Sequence, residues 1–363
     1  MDTKTIIEIR DLSTGYSTKK EEKIIGAHLN GELHEGEFIC LLGANGTGKS
    51  TLLKTLAGFQ PAIHGDVIAQ NILIKNYTPK ELSKVVSVVL TDNTKLNNMN
   101  VYDVVSMGRS PYTGFWGHLK ESDHSIVEKC MQWVGIEDLK DRQMGQLSDG
   151  ERQKVMIAKS IAQQTPIILL DEPTSYLDYP SKVSMMLMLH RLSKSKNKTI
   201  LMSTHDIENA LQIADKIWIL DVDNGLVEGI PEDLCREGYI DKYFVSKGMF
   251  FDKETCSFFL KYKTAREVIV QGDEDNLDYQ LVRRALIRKG IKPIRNMKEA
   301  KLSGTQRGVV ISVPGDGTYR MIDNKVETLN VNRIEHILNI TTSTITKNQI
   351  KAVRDAANMT AFE

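Results

Sequence analysis

The chain of 363 residues is long enough for one large domain and a smaller second unit. Its 47 lysine and arginine residues balance its 47 aspartate and glutamate residues, so no net positive charge favours binding to nucleic acid. No apolar run approaches the roughly 20 residues that cross a bilayer, and residues 1–10 lack the apolar core of a secretory signal. We therefore expect a soluble protein that is not exported and does not itself span a membrane.

The cysteines are widely spaced and form no CxxC pair of the kind that binds zinc or exchanges disulfides. We expect them to be buried or inert thiols in a reducing cytosol. They are Cys40, Cys130, Cys235 and Cys256.

Short apolar runs alternate with helical stretches through residues 1–245, which predicts an α/β domain with a mainly parallel sheet. The predicted strands are residues 38–42, 85–90, 167–170, 199–203 and 217–220. The stretch from about residue 98 to 164 has a helical pattern instead. It predicts a helical subdomain inserted between two strands of the sheet.

A second boundary is expected near residues 245–251, so residues 250–363 form a separate small α+β domain of unknown role, of ferredoxin-like type. Its predicted elements are a strand at 266–271, a helix with Leu277, Leu281, Ala285 and Ile287 near one face, a hairpin of 308–313 with 319–322, and a helix at 331–338. Deleting the chain after about Phe250 is expected to leave nucleotide binding intact.

Residues 43–50 read GANGTGKS and lie between a predicted strand and a helix, which is the context that a phosphate-binding loop requires. Glycines let backbone N–H groups converge on phosphates, and the helix N-terminus adds a positive partial charge. We expect Lys49 to reach the β- and γ-phosphates of ATP and Ser50 to bind Mg²⁺; the alternative is a glycine-rich turn. The predicted nucleotide-binding residues here are Gly43, Asn45, Gly46, Thr47, Gly48, Lys49, Ser50 and Thr51.

Residues 167–172 read IILLDE, an apolar strand that ends in two acids. Such a strand places both acids at the carboxyl edge of a parallel sheet, where ligands bind. Asp171 is the expected Mg²⁺ partner, through water. Glu172 is expected to polarise the water that attacks the γ-phosphate, as general base or as an orienting group. Taken alone, two acids after a strand are better explained as a solvated loop.

Residues 147–153 read LSDGERQ and precede an amphipathic helix. Ser148 is a predicted N-cap of that helix, with Glu151 completing a capping box. The stretch resembles the LSGGQ signature of ATP-binding-cassette proteins, and the acidic strand follows it at the expected distance. The resemblance implies a P-loop ABC ATPase domain that hydrolyses ATP.

The resemblance extends from about Tyr16 to Gly229. It implies that Tyr16 stacks on adenine, that residues 175–178 form the D-loop and that His205 is the switch histidine. It also implies a homodimer in which Ser148 and Gly150 of one subunit contact the γ-phosphate of ATP held by the other subunit. ATP closes such a pair and hydrolysis reopens it.

Three positions depart from the family pattern. Thr91 aligns with a glutamine that contacts Mg²⁺ and senses the membrane partner, so either water or Asp92 must complete that contact. Asp149 and Glu151 replace a glycine and a glutamine of the signature. These acids should weaken dimer closure unless their side chains point away from the phosphate.

Residues 101–112 read VYDVVSMGRSPY, which is similar to a run in importers of iron-siderophores, haem and cobalamin. The resemblance implies an import ATPase at the cytoplasmic face of a bacterial inner membrane. Its expected partners are an integral membrane permease and, indirectly, a periplasmic or lipoprotein substrate-binding protein; nucleic acid is not expected. The alternatives are a soluble cassette ATPase in protein assembly or repair and a regulatory nucleotide-binding module without catalysis. For residues 101–112 the plain alternative is an ordinary amphipathic helix.

Overall fold

A computed structural model describes residues 4–17, 21–90, 96–114, 117–222, 224–295, 309–315, 317–323 and 327–342. By compactness the chain divides into two units, Met1–Phe259 and Leu260–Glu363. Within the described ranges, every helix is too short or too polar to traverse a bilayer.

The first unit alternates strands and helices along the chain. Its strands are β1 (Thr5–Ser17), β2 (Glu22–His34), β3 (Phe38–Leu42), β4 (His64–Ala69), β5 (Ile72–Leu73), β6 (Val86–Val89), β7 (Ile167–Asp171), β8 (Thr199–Ser203), β9 (Lys216–Asp221), β10 (Gly225–Gly229), β11 (Met249–Asp252) and β12 (Ser257–Leu260). Its helices are α1 (Lys49–Leu56), α2 (Pro79–Leu82), α3 (Val101–Ser106), α4 (Glu121–Val134), α5 (Asp149–Ala162), α6 (Tyr179–Lys196), α7 (Ile207–Ile213), α8 (Pro231–Arg236) and α9 (Tyr239–Phe244).

The main sheet has the strand order β10-β9-β3-β8-β7-β6. Neighbours from β9 to β6 are parallel, and only β10 pairs antiparallel with β9. The predicted parallel sheet is therefore confirmed, with small shifts at the strand ends. Strands β3, β7 and β8 are buried along their whole length, as expected for parallel strands covered on both faces.

A second sheet, with the order β2-β1-β4-β5, is antiparallel and was not predicted from the sequence. Strand β1 contains several register shifts, and Asp11 within it has a positive φ of 45°. These bulges interrupt the alternation of buried and exposed residues that identifies a strand in sequence.

The segment between β6 and β7 carries α3, a 3₁₀ turn at Met107–Tyr112, α4 and α5. Arg109 ties these elements together: its Nε donates to Asp123 of α4 at 2.9 Å, and its Nη1 donates to the Ala162 carbonyl at the end of α5 at 2.8 Å. Both charged side chains are buried. Gly108 lies so close to α5 that an added Cβ would meet the Lys159 carbonyl oxygen at 2.3 Å. Gly108 and Arg109, in the run similar to the importers, therefore serve packing in this structure.

The division between the units falls later than residues 245–251, because the hairpin of β11 and β12 belongs to the first unit. Phe251 is only 6% exposed and lies in the same core as the main sheet. The Phe258 N–H donates to Glu208 of α7 at 2.9 Å. The hairpin therefore closes the first unit before the chain enters the second.

The second unit contains a mixed sheet of order β14-β13-β15-β16-β17. Strand β13 is parallel to β14 and β15, whereas β15, β16 and β17 pair antiparallel. A ferredoxin-like sheet is antiparallel, so that prediction was wrong, while the α+β class and the hairpin of β15 with β16 are confirmed. The elements are β13 (Arg266–Gly272), α10 (Leu277–Arg288), β14 (Ile291–Ile294), β15 (Val309–Val313), β16 (Tyr319–Asp323), β17 (Glu327–Val331) and α11 (Ile334–Thr342).

Helix α10 buries only part of the predicted face: Ala285 is buried as predicted. Leu277 is 70% exposed, and Leu281 is also exposed. Tyr279, Val282 and Leu286 are buried instead, since they lie on the side of the helix that packs in the core of the second unit.

Candidate functional site

The glycine-rich loop leaves the carboxyl end of β3 and leads directly into α1. Gly46 and Gly48 have positive φ values of 84° and 98°, which disfavour a side chain at either position. A Cβ on Gly48 would also lie 2.6 Å from Cγ2 of Ile25 in β2. The loop keeps its sharp turn because these positions are glycines, and this is the shape of a phosphate cradle.

Lys49 begins α1 and points its ammonium group into the curve of the loop. Its Nζ donates to the carbonyl oxygens of Gly43 at 2.9 Å and Ala44 at 3.1 Å, and the residue is only 6% exposed. Burial lowers the pKa of Lys49 below its ordinary value, although the nearby Glu172 and Asp171 carboxylates oppose the shift. A partly desolvated cation at a helix N-terminus is suited to binding anionic phosphates.

The two acids lie at the end of β7, beside β8. Asp171 is almost fully buried and accepts a hydrogen bond from Ser203 Oγ at 2.7 Å. The same Ser203 oxygen accepts the Glu172 N–H at 2.9 Å. Ser203 is completely buried and thus connects both acids to the last residue of β8.

Glu172 adopts a left-handed backbone with φ of 47°, which is unusual for a residue with a side chain. Its Oε1 lies 2.7 Å from Nε2 of His205, and its Oε2 accepts from Ser175 Oγ at 3.0 Å. Both the glutamate and the histidine remain partly exposed, with 28% and 43% of their side chains accessible. The pair can therefore meet a bound ligand while staying bonded to each other.

The sheet order brings these groups together. Strand β8 lies between β3 and β7, and Ser203 pairs in register with Leu41 of β3 and with Asp171 of β7. The glycine-rich loop, the two acids and His205 therefore leave neighbouring parallel strands at one edge of the sheet. Ligands of open α/β sheets bind at this edge.

Ser148 is the N-cap of α5, and the predicted capping box is confirmed. Glu151 Oε2 accepts from Ser148 Oγ at 2.7 Å and from Ser148 N–H at 2.8 Å. These hydrogen bonds lower the pKa of the Glu151 carboxyl. Asp149 lies 3.4 Å from Arg152 on the exposed surface, and a Cβ on Gly150 would meet Leu177 at 2.9 Å.

Tyr16 lies on β1 and is 52% exposed, so its ring is available to a ligand. It pairs with Lys23 of β2, the strand whose Ile25 contacts the glycine-rich loop. Thr91, the predicted Mg²⁺ contact that replaces a glutamine, lies outside the described residues.

Comparison with known proteins decides the family of the chain. A sequence model of the ABC transporter family matches residues 27–175. The ABC transporter ATP-binding protein MJ0873 of Methanocaldococcus jannaschii is 37% identical over 256 residues, which cover 70% of this chain and 87% of MJ0873. The chain belongs to the ABC transporter ATP-binding protein family.

This ABC ATPase is also 31% identical over 238 residues to the iron(3+)-hydroxamate import ATP-binding protein FhuC of Bacillus subtilis, covering 66% of this chain and 87% of FhuC. The dimeric structure of MJ0796, a bacterial ABC transporter cassette, superposes with a TM-score of 0.57 at 25% identity, covering 62% of this chain and 99% of MJ0796. The predicted P-loop fold and ATPase activity are thereby confirmed, and the cassette is a nucleotide-binding domain.

Ser203 and Ser175 contact the acidic pair of this ABC ATPase but were not singled out from the sequence. Ser203 is a polar residue at the end of a largely apolar strand, two positions before His205. This position is the sequence feature that could have indicated a role in the site. Ser175 begins the predicted D-loop. Their importance depends on which strand lies beside β7, and strand order is visible only in the fold.

Proposed function

We propose that two copies of this chain bind ATP and Mg²⁺ and drive the import of an iron complex through a membrane permease. ATP hydrolysis is supported chiefly by the position of four residues at one edge of the sheet: Lys49, Asp171, Glu172 and His205. Oε1 of Glu172 and Nε2 of His205 are only 2.7 Å apart. The intact pair favours catalysis over a purely regulatory nucleotide-binding module.

In this proposal each residue keeps a distinct role. The loop of residues 43–51, which includes Lys49, holds the phosphates of ATP, and Tyr16 stacks on its adenine. Ser50, Asp171 and Thr91 hold Mg²⁺, whose preference is for oxygen ligands of this kind. When bound, Mg²⁺ neutralises charge on the phosphates. Glu172 orients the attacking water and accepts its proton, and His205 supports Glu172 and the γ-phosphate.

We base the proposed homodimer on the signature residues at the start of helix α5. Ser148 and Gly150 at the start of α5 are proposed to contact the γ-phosphate held by the partner's loop. MJ0796, which has the same cassette fold, forms a dimeric structure, and this supports the arrangement. In closure, the Ser148 hydroxyl exchanges its hydrogen bond to Glu151 for a contact with phosphate.

A membrane partner is supported by a groove between α2, α5 and the loop after α1, which is lined by both apolar and polar residues. The groove has a volume of about 850 Å³, and Phe59, Tyr77, Leu82 and Met156 contribute to its lining. Phe59 lines this groove and is 65% exposed, so its apolar ring is available to a partner. An amphipathic helix of a permease would bury this ring.

The name of FhuC, with the similarity of residues 101–112 to importers of iron complexes, supports an iron complex as the cargo. In this proposal the ATPase is peripheral to the cytoplasmic face of a bacterial inner membrane. A periplasmic or lipoprotein binding protein delivers the cargo to the permease.

Two experiments test the proposal. The purified chain should hydrolyse ATP in the presence of Mg²⁺, whereas Glu172→Gln should bind ATP and lose at least about a hundredfold in kcat. In detergent-solubilised membranes the chain should co-purify with a polytopic protein. Hydrolysis at the parental rate by Glu172→Gln would overturn the catalytic assignment, and a wholly cytosolic pool would favour a cassette ATPase that works without a permease.

A further inference from the structure

The hairpin of β11 and β12 contacts the helix that follows His205. The Phe258 N–H donates to Oε1 of Glu208 at 2.9 Å, and Glu208 lies in the first turn of α7. We propose that Glu208 and the main chain of β12 hold His205 in position against Glu172. Glu208 is then a positioning residue for ATP hydrolysis, and the inference rests on the proposed roles of Glu172 and His205.

The segment around His205 is short and tied at both ends. Upstream, the Thr204 N–H donates to the Leu41 carbonyl of β3 at 3.2 Å. Downstream, Asp206 caps α7 and accepts from Asn209 Nδ2 at 2.8 Å, and Asn209 is itself buried. Because His205 immediately precedes this cap, a shift of the first turn of α7 moves its imidazole directly.

The hairpin is well placed to prevent that shift. Phe251 of β11 is buried in the core, and the centroid of its ring lies 5.0 Å from the centroid of the Phe258 ring. Asp252 closes the hairpin turn by accepting from Glu254 N–H and Thr255 Oγ1, each at 3.0 Å. The hydrogen bond from Phe258 to Glu208 therefore joins α7 to a strand that is anchored in the core.

The same strand also lines the cavity beside the acidic pair. This cavity has a volume of about 500 Å³, and its wall includes Glu172, His205, Lys182, Glu208 and Phe258. The cavity wall comes from the segments that follow β7 and β8, from α6 and α7, and, through Phe258, from the hairpin. The last strand of the first unit therefore contributes to the surroundings of the hydrolysis site.

The test compares two substitutions in the full-length chain. Glu208→Ala removes the acceptor for the Phe258 N–H, and we expect kcat to fall about tenfold with little change in KM for ATP, since positioning rather than binding is lost. Glu208→Gln keeps an oxygen acceptor and should restore kcat to within about twofold of the parent. Glu254→Ala, on the exposed turn of the same hairpin, is the matched control and should match the parent.

A second readout is independent of turnover. The imidazole resonances of His205, assigned by comparison with a His205→Asn variant, should move in Glu208→Ala and return in Glu208→Gln. Unchanged resonances and parental kcat in Glu208→Ala would overturn the inference, as would a Glu208→Gln variant as impaired as Glu208→Ala. An inactive parent enzyme would instead refute the proposed function, and the resonances would still test the contact.

Discussion

Ser203 is the residue on which the two acids of the site depend most directly. It donates to Asp171, accepts from the N–H of Glu172 and is fully buried. A buried group that loses its partner costs about 1–3 kcal/mol, so removing this hydroxyl leaves both neighbours less well held. The backbone of Glu172 is strained, with φ of 47°. The hydrogen bond from its N–H to Ser203 helps to hold it in that conformation.

We predict that Ser203→Ala lowers kcat about tenfold, because Asp171 and Glu172 lose a shared partner, with a smaller change in KM for ATP. Ser203→Thr keeps the hydroxyl and should recover part of the loss. Steady-state kinetics with thermal unfolding of each variant would measure both effects. A Ser203→Ala variant that is less stable yet retains parental kcat would limit Ser203 to a structural role.

The site residues that belong to local sequence motifs could be predicted from the sequence. The glycine-rich loop and the acids were recognised because each follows an apolar strand, and the structure places them at one sheet edge. The role of Ser203 was not predicted, since its hydrogen-bond partners lie at the end of the neighbouring strand β7. Hydrogen bonds between strands depend on strand order, which a single sequence does not reveal.

The start of helix α5 combines an N-terminal cap with the proposed phosphate contact. Glu151 accepts two hydrogen bonds from Ser148, which lower the pKa of its carboxyl below the ordinary value of 4.5. A carboxyl with a lowered pKa stabilises the fold above its unfolded-state pKa, and the contribution disappears as pH falls through the folded-state pKa. The contribution of Glu151 is therefore present near neutral pH and lost in acid.

We predict that Glu151→Ala lowers the free energy of unfolding by about 0.5–1 kcal/mol near pH 7, and that this deficit narrows below about pH 4.5 as the parent's carboxyl is protonated. Urea unfolding across this pH range measures the difference. Glu151→Gln is the control, because its amide can accept the same bonds without titrating. A deficit that stays constant or grows in acid would contradict the prediction.

Prediction of elements from sequence succeeded where burial is continuous and failed where it is irregular. The parallel strands β3, β7 and β8 are short apolar runs, and they were found with nearly correct ends. Strand β1 was missed because its bulges break the two-residue period. The buried face of α10 was predicted only in part: Ala285 is buried, whereas Leu277 and Leu281 are exposed in spite of their apolar character.

The boundary between the two units decides where the chain can be cut without loss of the first unit's stability. The sequence placed it at 245–251, where the strand and helix pattern of the main sheet ends. The structure places it after Phe259, because Phe251 and Phe258 of the hairpin pack with the first unit. Such packing across a weakly patterned loop is not visible in the linear order of residues.

We predict that a chain ending at Leu260 keeps the stability and ATP hydrolysis of the first unit, whereas a chain ending at Phe250 is less stable. Loss of a buried phenylalanine typically costs about 3–5 kcal/mol, and the shorter chain loses Phe251 with the rest of the hairpin. Phe251→Ala in the full-length chain is the control for this contribution. Equal urea midpoints for the two truncated chains would show that the hairpin adds no stability.

We propose that Lys49 of one protomer and Ser148 of its partner contact the same nucleotide. An experimental structure of Glu172→Gln with ATP and Mg²⁺ tests it most directly, since slow hydrolysis should preserve the closed dimer. We expect each triphosphate to touch the glycine-rich loop of one chain and the start of α5 of the other, with the Ser148 hydroxyl released from Glu151. A triphosphate enclosed by a single chain, with the Ser148 hydroxyl still bonded to Glu151, would contradict this arrangement.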